Sequence, residues 1–178
     1  MEMKYLYNSN TSHVLSFETM RHTLDAAILE WLCVKAWLGH ANTLLLGFGD
    51  EILPPPTLVT RPGRKPIYKH QGHPDYEIQT EFAEWYVKNE GKVIASRSDD
   101  WRAQEALSLL VGKKATGWKI IPAIGELHID FAEGLALEIV PYNPMSDNDA
   151  WGIWDSDGFF SSIRSNGTMH KRHGSTLV

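Results

Sequence analysis

Apolar residues at Leu24, Ile28, Trp31 and Leu32 recur near the 3.6-residue period of a helix, predicting an amphipathic helix over 16–38. Ser16 stands where an N-cap belongs, Glu18 follows in the first turn, and Gly39 offers a stop. Leu44, Leu46 and Phe48 then alternate as in a half-buried strand. Further on, 81–87 and 92–96 read as two strands joined across Asn89-Glu90-Gly91. A second helix is predicted from about Ser98, with Ala103, Ala106, Leu107 and Leu110 as its apolar stripe and Gly112 as its end. The remainder reads as sheet: 118–121, then 127–131, then 135–139 after an Ala132-Glu133-Gly134 turn. A last pair, 150–155 and 159–164, closes across Ser156-Asp157-Gly158. The tail after Asn166 is polar and is expected to fray.

Residues 53–76 break the pattern. Pro54, Pro55, Pro56, Pro62, Pro66 and Pro74 argue for a loop or an irregular edge rather than an interior element.

The two halves of the chain resemble each other. Residues 44–48 read LLLGF and 127–131 read LHIDF, and both run into an acidic turn. Residues 90–98, EGKVIASRS, match 157–165, DGFFSSIRS, with an acidic-Gly pair and an Arg-Ser pair at the same offset. Trp37 and Trp118 each precede the first strong strand of their half, so 34–38 is open to a strand reading as well. The expectation is an α+β fold of two related halves, each a helix packed on an antiparallel β-meander, by internal duplication. The first half covers 1–97, with the Pro-rich stretch as an insertion at 53–76. The second covers 98–178, and the two form one compact unit.

The chain has 178 residues, 43% of them apolar, long enough to bury a core without staples. One cysteine, Cys33, excludes an intrachain disulfide and a multi-cysteine zinc site. No apolar run reaches membrane-spanning length, and MEMKYLYNSN has no signal-peptide h-region. A cytoplasmic location without a membrane partner is expected.

Charge is distributed unevenly. Between Lys119 and Arg164 stand eight carboxylates and no Lys or Arg, whereas 52–74 holds Arg61, Arg64, Lys65 and Lys69 and no acid. A net charge of −5 argues against direct nucleic-acid binding. The acidic span reads either as a solvated face or as a docking surface for a basic partner.

Candidate chemistry is sparse. His70, His73 and Asp75 have ligand-type side chains, but Gly72 and Pro74 interrupt their spacing. His170 and His173 lie in the polar tail. His128 and Asp130 fall on one face of a strand and suit a surface pair. No nucleophile elbow and no dinucleotide or Walker glycine pattern occurs. The Asp147, Asp149, Asp155 and Asp157 set departs from the calcium-loop register, and Cys33, set among apolar residues, reads as a buried thiol. No catalytic residue, metal or cofactor is expected.

The run GELHIDFAEGLALEIVP, followed by AWGIWDSDG, resembles small bacterial immunity-type proteins of contact-dependent or polymorphic toxin systems. The resemblance covers 113–165 and reaches the first half only through the internal repeat. It implies a non-enzymatic protein that binds and neutralises a cognate toxin, itself expected to be a basic nuclease-type domain. The partner-binding candidates are Asp130, Glu133, Asp147, Asp149, Trp151, Trp154, Asp155 and Asp157. Their spacing puts Trp151 and Trp154 on opposite sides of a strand, so at most one belongs to the core. Two other readings stand beside this one. The first is a small metal- or histidine-dependent hydrolase or nuclease; the second is a regulatory module binding a ligand between its halves.

Overall fold

A computed structural model describes residues 13–54, 57–60, 62–63, 67–69, 72–99, 101–143 and 146–173. The elements run β1 (His13–Val14), α1 (Phe17–Leu24), a π-turn (Asp25–Leu29), β2 (Leu32–Leu38), β3 (Leu44–Gly49), β4 (Thr57–Val59), β5 (Ile67–Lys69) and β6 (Tyr76–Thr80). They continue with β7 (Ala83–Asn89), β8 (Lys92–Ser96), α2 (Trp101–Ser108), β9 (Ala115–Ile121) and β10 (Glu126–Phe131). The last four strands are β11 (Leu135–Pro141), β12 (Asp149–Trp154), β13 (Phe159–Arg164) and β14 (Met169–His173).

The first helix begins as its sequence predicts. Ser16 caps it, its Oγ accepting from the Thr19 amide at 3.2 Å. It ends far sooner than the apolar period suggested, because 32–38 is a strand with five consecutive buried residues, Cys33 to Trp37. A run buried on both sides has no period, so the helical spacing merely ran into it.

The two-meander expectation is overturned. Over the described residues the protein is mostly β, 49% strand and 18% helix, with two antiparallel sheets and two short α-helices among them. One sheet has the order β1-β14-β13-β12-β6-β3-β2 and the other β8-β7-β11-β10-β9, with β4 and β5 as a separate hairpin. Neither half builds its own sheet. Strand β6 pairs with β12, placing Ile78 opposite Ile153, and β7 pairs with β11, placing Trp85 opposite Ile139. The sheets share one internal order: β2-β3-β6 continues into β12-β13, and β9-β10-β11 continues into β7-β8. The similar segments 44–48 and 127–131 therefore occupy β3 and β10, the second strand in each row. The helices cross over too: the π-turn after α1 packs on β9, and α2 packs on β2.

Two tryptophans tie the sheets together. Trp85 and Trp151 are both completely buried in one continuous core. The Trp85 indole N–H donates to the carbonyl of Asn42 at 3.1 Å, in the turn before β3. The Trp151 N–H donates to Gly125 O at 2.7 Å, in the turn before β10. Each ring lies in one sheet and satisfies its polar atom on a turn of the other, as a buried indole must.

Two more expectations change. Within the polar tail Met169–His173 form a strand, β14, paired with β13 from Phe159↔His173 to Ile163↔Met169, and 174–178 lie outside the described residues. The Pro-rich stretch holds the β4–β5 hairpin and is followed by β6, a central strand with no apolar alternation beyond Ile78. Polar Thr80 is fully buried there because its Oγ1 accepts from the Leu44 amide at 2.9 Å.

Edges are guarded. The outer side of β2 is occupied by the Gln104 side chain, which donates to Ala36 O at 3.0 Å and accepts from Leu38 N at 3.2 Å. Gly112 N donates to Cys33 O, and Cys33 N to Lys113 O, on the same edge. On β8 the Ser96 amide donates to the Asp99 carboxylate at 2.7 Å. Such caps deny an incoming strand its hydrogen bonds.

Candidate functional site

The acidic span separates into carboxylates used by the fold and carboxylates left to solvent. Asp155 belongs to the fold: its Oδ1 accepts from the Asp157 and Phe159 amides at 3.1 and 2.8 Å, closing the β12–β13 turn. Lys171 approaches its other oxygen at 3.8 Å. Asp149 is also internal. It accepts from Ser162 Oγ at 3.1 Å, with Arg164 and Arg172 at 3.7 and 3.6 Å. Burial and the Asp149 charge push neighbouring Glu81 above the ordinary carboxylate range, while Arg172 pulls it back.

Asp130, Glu133, Asp147 and Asp157 are exposed. Glu133 meets Lys113 at 2.6 Å, and Asp147 accepts from Asn166 Nδ2 at 2.6 Å. Among the described residues Asp130, Asp147 and Asp157 have no ion-pair partner. The structure places them on different sheets, Asp130 near the end of β10 in one and Asp147 and Asp157 flanking β12 in the other.

Trp151 cannot serve as a surface anchor, because its ring is fully buried between the sheets. Trp154 lies on the opposite side of β12 and is half-buried. Its ring packs on Phe160 at 4.6 Å, and its N–H donates to Gln79 Oε1 at 3.2 Å. The alternation across Gly152 thus placed one tryptophan in and one out.

His128 pairs differently from its sequence expectation. Its Nε2 meets Glu126 and its Nδ1 meets Glu138 Oε1 at 3.1 Å, while Asp130 is not a partner. Lys88 completes this cross-strand chain by donating to Glu138. Of the loop histidines, His70 lies outside the described residues and His73 is exposed. His173 stands edge-on to Phe159 at 5.0 Å. Burial and the Arg164 charge, partly opposed by Asp149 and Asp147, lower the pKa of His170. Among the described residues no group of three or more His, Cys, Asp or Glu is placed to hold a metal ion.

Cys33 is fully buried and donates from Sγ to Lys35 O at 3.5 Å. Burial pushes the thiol up to about 12, against a smaller lowering by that hydrogen bond. Alkylation by iodoacetamide is therefore expected only at the rate of unfolding; rapid labelling of the native protein would contradict this placement.

Charge counting found Glu126, Asp130 and Glu138 but not that they share the outer side of the five-stranded sheet. Along β7, buried Ala83, Trp85 and Val87 alternate with half-exposed Glu84, Tyr86 and Lys88. Outward positions on β7, β9, β10 and β11 carry Glu84, Glu126, Asp130 and Glu138 against Lys88 and Lys119. No family model, curated protein or solved structure matches the chain. No helix among the described residues is long and apolar enough to cross a membrane.

Proposed function

We propose that the chain is a non-enzymatic immunity-type protein that binds and neutralises a cognate bacterial toxin domain of basic charge. The observation that carries this reading is the set of solvent-facing carboxylates, Asp130, Asp147 and Asp157, which no cation of the described fold engages. Carboxylates that no cation neutralises at the surface project a field that speeds encounter with a basic partner. Among the described residues only Asp147 of the three accepts a side-chain hydrogen bond, from Asn166. Asp149 and Asp155 drop out of the docking set because the fold uses both. Trp151 drops out because it is core.

The test is binding and growth rescue against the C-terminal domain of whatever protein is encoded immediately upstream, expressed as the candidate toxin. A nanomolar, salt-sensitive complex with restored growth is the expected result. Asp130→Lys and Asp157→Lys together are expected to slow association several-fold at low salt without changing the melting temperature, and adding Asp147→Lys slows it to roughly a tenth at the loss of one exposed hydrogen bond to Asn166. No complex and no rescue would remove the reading.

A further inference from the structure

The most distinctive unassigned surface lies at one end of the open face of the five-stranded sheet. Phe82 and Tyr142 are 50% and 51% exposed, and they sit side by side, with Tyr142 N donating to Phe82 O at 3.1 Å. They extend the outward positions of β7 and β11 beyond Glu84 and Val140, which stand opposite each other in register. The Tyr142 hydroxyl donates to Glu84, and partial burial together with that hydrogen bond raises the phenol's pKa. Arg97 lies 5.2 Å from the Tyr142 ring, and its guanidinium is spent on the carbonyls of Ala41, Glu81 and Ala83.

Two adjacent exposed aromatics are costly to leave in water unless something covers them, and aromatic side chains are enriched in the buried centres of interfaces. The adjoining sheet supplies the sign of the partner. Of its outward carboxylates, Glu138 is paired with Lys88 and Glu126 meets His128. That leaves Glu84 beside the aromatics and Asp130 farther along without a cation among the described residues, while the nearby Arg97 is turned to backbone carbonyls.

We propose that this face is a protein-docking surface, with Phe82 and Tyr142 as its apolar anchors and Glu84 beside them receiving an arginine of the partner. An arginine suits the place because its planar guanidinium stacks on a tyrosine face while bonding a carboxylate. The occupant is a polypeptide segment presenting arginine next to an apolar side chain. The inference rests on the toxin-binding reading for the identity of that polypeptide, but not for the location of the face.

Two measurements separate the claims. In the first, an arginine-leucine peptide is titrated into the full-length ¹⁵N-labelled chain at low salt. Shifts are expected to cluster on Phe82, Glu84, Tyr86, Val140 and Tyr142; shifts elsewhere, or none, overturn the face. In the second, affinity for the upstream toxin domain is compared across variants. Phe82→Ser with Tyr142→Ser is expected to weaken binding about 30-fold or more, and Glu84→Lys about tenfold. Glu105→Lys, on the exposed side of α2, should leave it unchanged. Tight toxin binding that survives both face variants overturns this surface and leaves the immunity reading standing. If wild-type chain binds no toxin, the immunity reading falls and the peptide titration alone decides the face.

Discussion

Truncating Trp151 to alanine is expected to cost about 3–5 kcal/mol in urea unfolding, whereas Trp154→Ala should cost well under half of that. The two residues share a strand, a residue type and a spacing of three, and differ only in the side to which they point. The Trp151 ring is fully enclosed, and its N–H satisfies Gly125 O across the sandwich. Alanine would leave a cavity and an unpaired carbonyl together, and both terms act in the same direction. Trp154 is half-buried, so its removal exposes Phe160 but opens no internal void. Trp85→Ala is expected to match Trp151→Ala, because Trp85 makes the reciprocal bond to Asn42 O. Equal losses at 151 and 154 would mean that the outer side of β12 is as enclosed as the inner.

That contrast shows what local pattern can and cannot reveal. Alternation around Gly152 separated the two tryptophans correctly, because side-chain period along a strand is local information. The hairpins β7–β8, β10–β11 and β12–β13 were legible for the same reason, each closing on Gly91, Gly134 or Gly158, all with positive φ. Strand β2 carries no alternation because it is almost fully buried, so only the correspondence of Trp37 with Trp118 pointed to a strand at 34–38, where one stands. Strand β6 was obscured by polar residues whose partners, such as Leu44 N for Thr80, lie 36 residues away. The exchange of strands between halves is a choice of partner, and β6 looks the same from its sequence whether it pairs with β7 or with β12.

The candidate surface follows the same division. Counting charge along 120–163 found the carboxylates, but it could not show that Asp149 is enclosed by Arg164 and Arg172 or that Asp155 is a turn cap. These cations come from the end of β13 and from β14, the strand that the polar tail concealed. Phe82 and Tyr142 carried no signal, because single exposed aromatics are ordinary. What marks them is their adjacency, and only the β7–β11 register produces it.

A second large effect is expected at the ion pair of Lys35 and Glu77. Lys35 on β2 and Glu77 on β6 both lie opposite Gly47 of the intervening β3, so no side chain separates them. The ammonium reaches across the glycine to the carboxylate and lies 4.7 Å from the Trp37 ring. A Cβ at Gly47 would stand 2.8 Å from Pro74 and 3.1 Å from Lys35, so the glycine also lets Pro74 lie close over the strand. The Lys35 side chain is 6% exposed and that of Glu77 19%. Glu77→Gln strands the more deeply buried charge and is expected to cost about 3–5 kcal/mol. Lys35→Met leaves a carboxylate nearer to water and should cost less. Lys35→Met with Glu77→Leu removes both desolvation penalties and is expected to recover most of the loss, giving a strongly non-additive double-mutant cycle. An additive cycle, or a Glu77→Gln variant within about 0.5 kcal/mol of wild type, would mean that the ammonium is solvated and that this pair contributes as little as a surface salt bridge.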